Sequence, residues 1–81
     1  MIIGNDLIAM YGKCGRTDHA YKVFDIMLER NVVTWTALMY GYLHQDDAEG
    51  ALSIFREMGF SVIRPNEYTF SACFKACGIL G

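Results

Sequence analysis

Shifting the sequence against itself by 31 residues lays Leu7 over Leu38, Tyr11 over Tyr42, Ala20 over Ala51, Phe24 over Phe55 and Met27 over Met58. Residues 5–27 align on residues 36–58 without a gap. A third copy begins at Glu67, where Phe70, Ser71 and Ala72 fall under Trp35, Thr36 and Ala37 at an offset of 35. A repeat of this period marks stacked supersecondary units, each too small to bury its apolar face alone. Their function is spread along a continuous surface and is not gathered in one pocket.

Within the first copy Leu7, Ile8 and Tyr11 share one helical face, and Ala20, Val23, Phe24 and Met27 recur at i, i+3, i+4 and i+7 on another. The second copy repeats the scheme with Leu38, Met39 and Tyr42, then Ala51, Ile54, Phe55 and Met58. The pattern predicts five helices, over about residues 4–13, 17–29, 34–44, 48–58 and 67–79, stacked as antiparallel pairs: an all-α fold. Gly12 and Gly15 break the first pair, with Thr17 or Asp18 expected to cap the second helix, and Asp46 or Asp47 doing the same in the second copy. Asp46 stands where the first copy has Gly15, which predicts a tightened or reshaped turn. Ala20 and Ala51 mark the expected close helix crossings. Pro65 keeps Arg64 out of helical geometry, so the chain turns there before the last helix.

Composition narrows the function classes. A formal charge of −2 gives no blanket attraction to phosphate or to acidic membranes. Cys14, Cys73 and Cys77 are odd in number and form no CxxC pair, so neither a disulfide framework nor a zinc ribbon is expected, and a reducing interior compartment fits. Cys73 and Cys77, four apart on a helix, read as buried packing; His19 and His44, at the helix breaks, read as surface residues; Trp35 reads as a packing aromatic between helices. No signal peptide, transit peptide or membrane span is visible, and no cofactor, metal or small-molecule substrate is called for. Two and a half repeats leave apolar faces uncovered at both ends, the expectation for a fragment of a longer array.

The strings NDLIAMYGKCGRTDHAYKVFDIMLERN and VVTWTALMYGYLHQDDAEGALSIFREM, the latter followed by RPN, resemble the pentatricopeptide repeats of plant organellar RNA-binding proteins. Residues 1–31 resemble the short motif, 32–66 the standard 35-residue motif and 67–81 the first helix of a long motif, in the array type associated with RNA editing. Tetratricopeptide repeats, which bind peptides, are the competing family, since Trp35, Leu38, Tyr42, Ala51 and Phe55 also fit their spacing. The bulky Ile8 and Met39 and the 31-then-35 period disfavour them.

The resemblance implies a right-handed α-solenoid that binds single-stranded RNA at about one base per repeat. It implies a mitochondrion or chloroplast, and editing or processing factors as further partners. It assigns base reading to the fifth and last residues of each motif: Asn5 with Asn31, favouring a pyrimidine, and Thr36 with Asn66, favouring adenine. Ile2, Val33 and Tyr68, second in each motif, would hold bases between them, and Lys13 would contact phosphate, its counterpart being His44. Each of these residues also has a plainer reading. Asn5 and Thr36 could be helix caps, Asn31 and Asn66 turn residues in left-handed geometry, Val33 core-facing and Lys13 a solvated surface lysine. Val62 stands where the family has glycine, which leaves the path of the linker carrying Asn66 open. Some family members end in a cytidine deaminase domain, but its H-x-E and P-C-x-x-C strings do not occur here. A binding module is expected, not an enzyme.

Overall fold

The computed structural model describes residues 2–80, and side-chain surroundings from residue 4 onward. The side chain of Ile2, expected to sandwich a base, lies outside the described residues. Five helices follow one another: α1 (Ile2–Lys13), α2 (Thr17–Ile26), α3 (Val32–His44), α4 (Ala48–Gly59) and α5 (Glu67–Leu80). Among the described residues there is no strand. Helix α3 packs on both α1 and α5, so these three form one layer. Helix α2 packs on α1 and α3, and α4 on α3 and α5, so the second helix of each unit sits in the groove between two first helices. The chain is a two-layer solenoid segment 17 Å thick across its Cα atoms.

The predicted apolar faces meet between the layers. Ile8, Leu38, Met39 and Met58 are fully buried, as are Ala20 and Ala51. Each large side chain so placed contributes about 1.5–3 kcal/mol relative to exposure. Trp35 is 5% exposed and meets Phe24 edge-on, with ring centroids 4.7 Å apart, which bears out its reading as a packing aromatic. Two glycines make a further close approach. A Cβ built on Gly12 would stand 2.7 Å from the Cα of Gly41, so α1 and α3 touch backbone to backbone near their C-terminal ends.

The sequence offset of 31 carries into the turns. Arg16 N–H donates to the Tyr11 carbonyl at 2.8 Å, and Asp47 N–H to the Tyr42 carbonyl at 2.9 Å. Gly15 has φ 79° and Asp46 has φ 57°, so the turn is reproduced and not reshaped, the aspartate accepting the left-handed conformation of the glycine it replaces. Asp47 caps α4, its side chain accepting from Gly50 N–H. Neither Thr17 nor Asp18 caps α2. Both lie inside the helix, the cap residue is Arg16, and no side chain bonds there.

Helix α2 ends at Ile26, short of the expected residue 29. Met27 turns to extended geometry (ψ 128°), and Arg30 folds back over the helix end. Its Nε donates to the Phe24 carbonyl at 2.9 Å and its Nη2 to the Asp25 carbonyl at 3.1 Å, while the guanidinium lies 4.4 Å from the Phe24 ring centroid. A cation there satisfies carbonyls that an additional turn would have bonded.

Candidate nucleic-acid interface

The α1–α3–α5 layer has one face that α2 and α4 do not cover. Along α3 it carries Val33, Ala37, Tyr40 and His44, a stripe at i, i+4, i+7 and i+11. Two adjoining concavities lie on it. The first, about 270 Å³, is lined by Val33, Thr36, Ala37, Tyr40, Asn66 and Tyr68. Val33 and Tyr68 stand 55% and 66% exposed on neighbouring helices, so Val33 does not face the core. Thr36, 8% exposed, lies a full turn inside α3 and is not its cap. Its hydroxyl lies 2.8 Å from the Val32 carbonyl and 2.9 Å from the Thr69 hydroxyl, its single proton serving one of the two. Thr36, Asn66, Val33 and Tyr68, which the resemblance assigned to one readout, therefore border one cleft.

Asn31 and Asn66 are helix caps, not left-handed turn residues. Asn31 is extended, with φ −123° and ψ −177°. Its Oδ1 accepts from Thr34 N–H at 3.0 Å, while Thr34 Oγ1 accepts from Asn31 N–H at 3.1 Å. Asn66 and Thr69 repeat this capping box at 3.0 and 3.2 Å, so the linker through Val62 delivers Asn66 to the matching place. In the first unit Asn5 Nδ2 donates to Asn31 Oδ1 at 3.4 Å, and Asn5 Oδ1 accepts from the Thr34 hydroxyl. Asn5 and Asn31 are thus brought together, and Asn5 sits within α1, not at its cap. Thr34 and Thr69 were missed in the sequence, although N-x-x-T recurs at residues 31–34 and 66–69.

The second concavity, about 540 Å³, is lined by Lys13, His44 and Lys75 among small and apolar residues, with no carboxylate in its wall. Lys75 Nζ lies 5.5 Å from the Tyr40 ring centroid. The chain's net charge of −2 therefore hides a locally cationic groove beside the first cleft. Lys75 was also missed. Its spacing of seven from Tyr68, two helical turns, puts both on one face.

Other residues are brought to no common site. Cys73 is half-buried, and burial pushes its thiol up from the ordinary value. Cys77 is exposed, contrary to the packing expectation. His19 is not a simple surface residue: it stacks on Tyr11 with centroids 5.3 Å apart. Among the described residues no three His, Cys, Asp or Glu side chains are grouped to hold a metal, and no helix is long and apolar enough to cross a membrane.

Residues 5–32 match a family model described as the PPR repeat, and residues 30–78 one described as the PPR repeat family. Similar proteins of Arabidopsis thaliana include a pentatricopeptide repeat-containing protein 56% identical over 80 residues, an alignment covering 99% of this chain and 12% of that protein. Another, named as mitochondrial, is 45% identical over 73 residues, covering 90% of this chain and 16% of its own length. A third, named as chloroplastic, is 40% identical over 81 residues, covering all of this chain and 10% of its own length. The chain thus spans only a small part, 10% to 16%, of these relatives.

Proposed function

Since the chain belongs to the pentatricopeptide repeat family, we propose that it binds single-stranded RNA sequence-specifically, about one base per repeat, within a longer array serving organellar RNA processing or C-to-U editing. The names of the relatives support a mitochondrion or chloroplast as its place of action. The repeat units are residues 1–31, 32–66 and the opening helix from 67. The observation that carries the reading is the cleft bordered by Val33, Thr36, Asn66 and Tyr68, where an unstacked base fits between an aliphatic and an aromatic side chain with a hydroxyl and a carboxamide at its edge.

Asn5 and Asn31 read a pyrimidine, and Thr36 with Asn66 reads adenine on its 3′ side. The phosphates pass along the adjoining groove, where Lys13 and Lys75 supply charge without sequence information. The chain holds RNA for chemistry performed elsewhere.

With the two complete units grafted into a longer array, binding selections on randomised RNA should return a pyrimidine followed by adenine. Thr36→Asn should move the second base toward a pyrimidine by roughly tenfold or more, since one good base contact carries about 1–3 kcal/mol. Lys13→Ala should weaken all sequences alike and flatten the salt dependence. An unchanged second base after Thr36→Asn, with altered preference after Lys13→Ala, would reverse the assigned roles.

A further inference from the structure

Thr34 and Thr69 occupy the same place in two independent settings. Each is at most 1% exposed, each completes a capping box with the last asparagine of the preceding unit, and each hydroxyl also touches the fifth residue of a unit. Thr34 Oγ1 contacts both Asn31 Oδ1, at 3.0 Å, and Asn5 Oδ1. Thr69 Oγ1 lies 3.0 Å from Asn66 Oδ1 and 2.9 Å from Thr36 Oγ1. A helix cap needs only the backbone N–H and one side-chain oxygen. The additional link to Asn5 or Thr36 does nothing for the cap.

The hydrogen-bond inventory fixes which end of each asparagine is left over. A carboxamide oxygen accepts two bonds and its nitrogen donates two. Asn66 Oδ1 receives the N–H and the hydroxyl of Thr69, both at 3.0 Å. Asn31 Oδ1 receives the N–H of Thr34 at 3.0 Å and the amide of Asn5 at 3.4 Å. Because a backbone N–H can pair only with the oxygen, the amide orientation is set by chemistry. In both residues the oxygen is turned into the helix start and filled, and the Nδ2 group remains.

We infer that Thr34 and Thr69 are positioning residues for base recognition: they lock Asn31 and Asn66 with the amide nitrogen toward the base, so that each asparagine recognises a hydrogen-bond acceptor on the base edge. The inference rests on the RNA reading proposed above. It makes one buried hydroxyl common to both side chains that face a given base, so the pair is read as a unit.

The test uses the intact chain with four single-stranded RNA heptamers, 5′-UUUNUUU-3′ with N each base in turn, titrated at low salt and followed by NMR. Thr69→Val removes the hydroxyl at constant shape, and Thr69→Ser keeps it. The wild type is expected to favour one base at N by at least about fivefold. Thr69→Val should compress that preference to within about twofold while leaving binding of the least favoured heptamer nearly unchanged, and Thr69→Ser should restore it. A hydroxyl that only caps α5 would behave differently. Thr69→Val would then lower the melting temperature and weaken all four heptamers by one common factor, or leave the preference intact, and either result overturns the inference while the RNA reading stands. A wild-type chain that binds none of the four overturns the RNA reading, and this inference with it.

Discussion

Asp46 holds the backbone conformation that Gly15 holds at no steric cost. Left-handed geometry costs an L-residue about 1–2 kcal/mol, and a glycine gives back about 0.5–1 kcal/mol of that in unfolded-state entropy. Asp46→Gly should therefore raise stability by roughly half a kcal/mol in urea or thermal unfolding. Gly15→Ala should lower it by about 1–2 kcal/mol. Its new Cβ would also stand 3.2 Å from the Gln45 side chain. The substitution was visible in the aligned copies, but its outcome was not, because a short polar side chain tolerates this region where a branched one would have forced a new turn. The same limit hid Thr34 and Thr69. N-x-x-T reads from sequence as a cap, and only the packing of α1 and α5 against α3 brings those hydroxyls to Asn5 and Thr36.

At the scale of elements, periodicity located all five helices because each buries a stripe of fixed register against its neighbours. It failed at the end of α2, where Met27 and Leu28 continue the apolar pattern but Arg30 terminates the helix. Leu28 is fully exposed in consequence. Arg30→Ala should destabilise the chain by about 1–2 kcal/mol, through two lost charge-assisted bonds and the contact with Phe24. The emission of Trp35, the single tryptophan, reports on that junction because its ring meets Phe24. An unchanged melting temperature and an unchanged Trp35 spectrum in the variant would mean that the α2 end is set by the linker alone. In the candidate interface, the sequence register identified the residues around the base cleft and Lys13 with its counterpart His44, but not the cationic groove as a whole, because Lys75 stands at a different place in its unit from the one that Lys13 and His44 share.

Over the whole molecule, the two helices of the α2–α4 layer are tied to each other by a tyrosine. Tyr21 on α2 donates to Glu57 on α4 at 3.2 Å. Burial first, then nearby carboxylates, raise the phenols of Tyr21 and Tyr42 above the ordinary value of 10.0. A phenol whose folded value is raised contributes stability below pH 10, where both states keep the proton, and loses it as pH climbs toward the folded value and the unfolded chain ionises first. Melting temperature should thus be flat from about pH 8 to 9 and fall above pH 10, with Tyr42→Phe, which has no proton to lose, falling less steeply. Circular dichroism melts at stepped pH would read this directly, and identical slopes for the two chains would exclude Tyr42 as a contributor. The backbone contact of Gly12 with Gly41 has a mechanical meaning at the same scale. It makes a pivot at one end of the α1–α3 seam, while Val33 lies eight residues, about 12 Å, away along α3. A tilt of about 10° at that fulcrum swings Val33 by roughly 2 Å against α1. Rotation about that contact therefore alters the spacing of α1 and α3 at the Asn5–Asn31 end more than at the Gly12–Gly41 end.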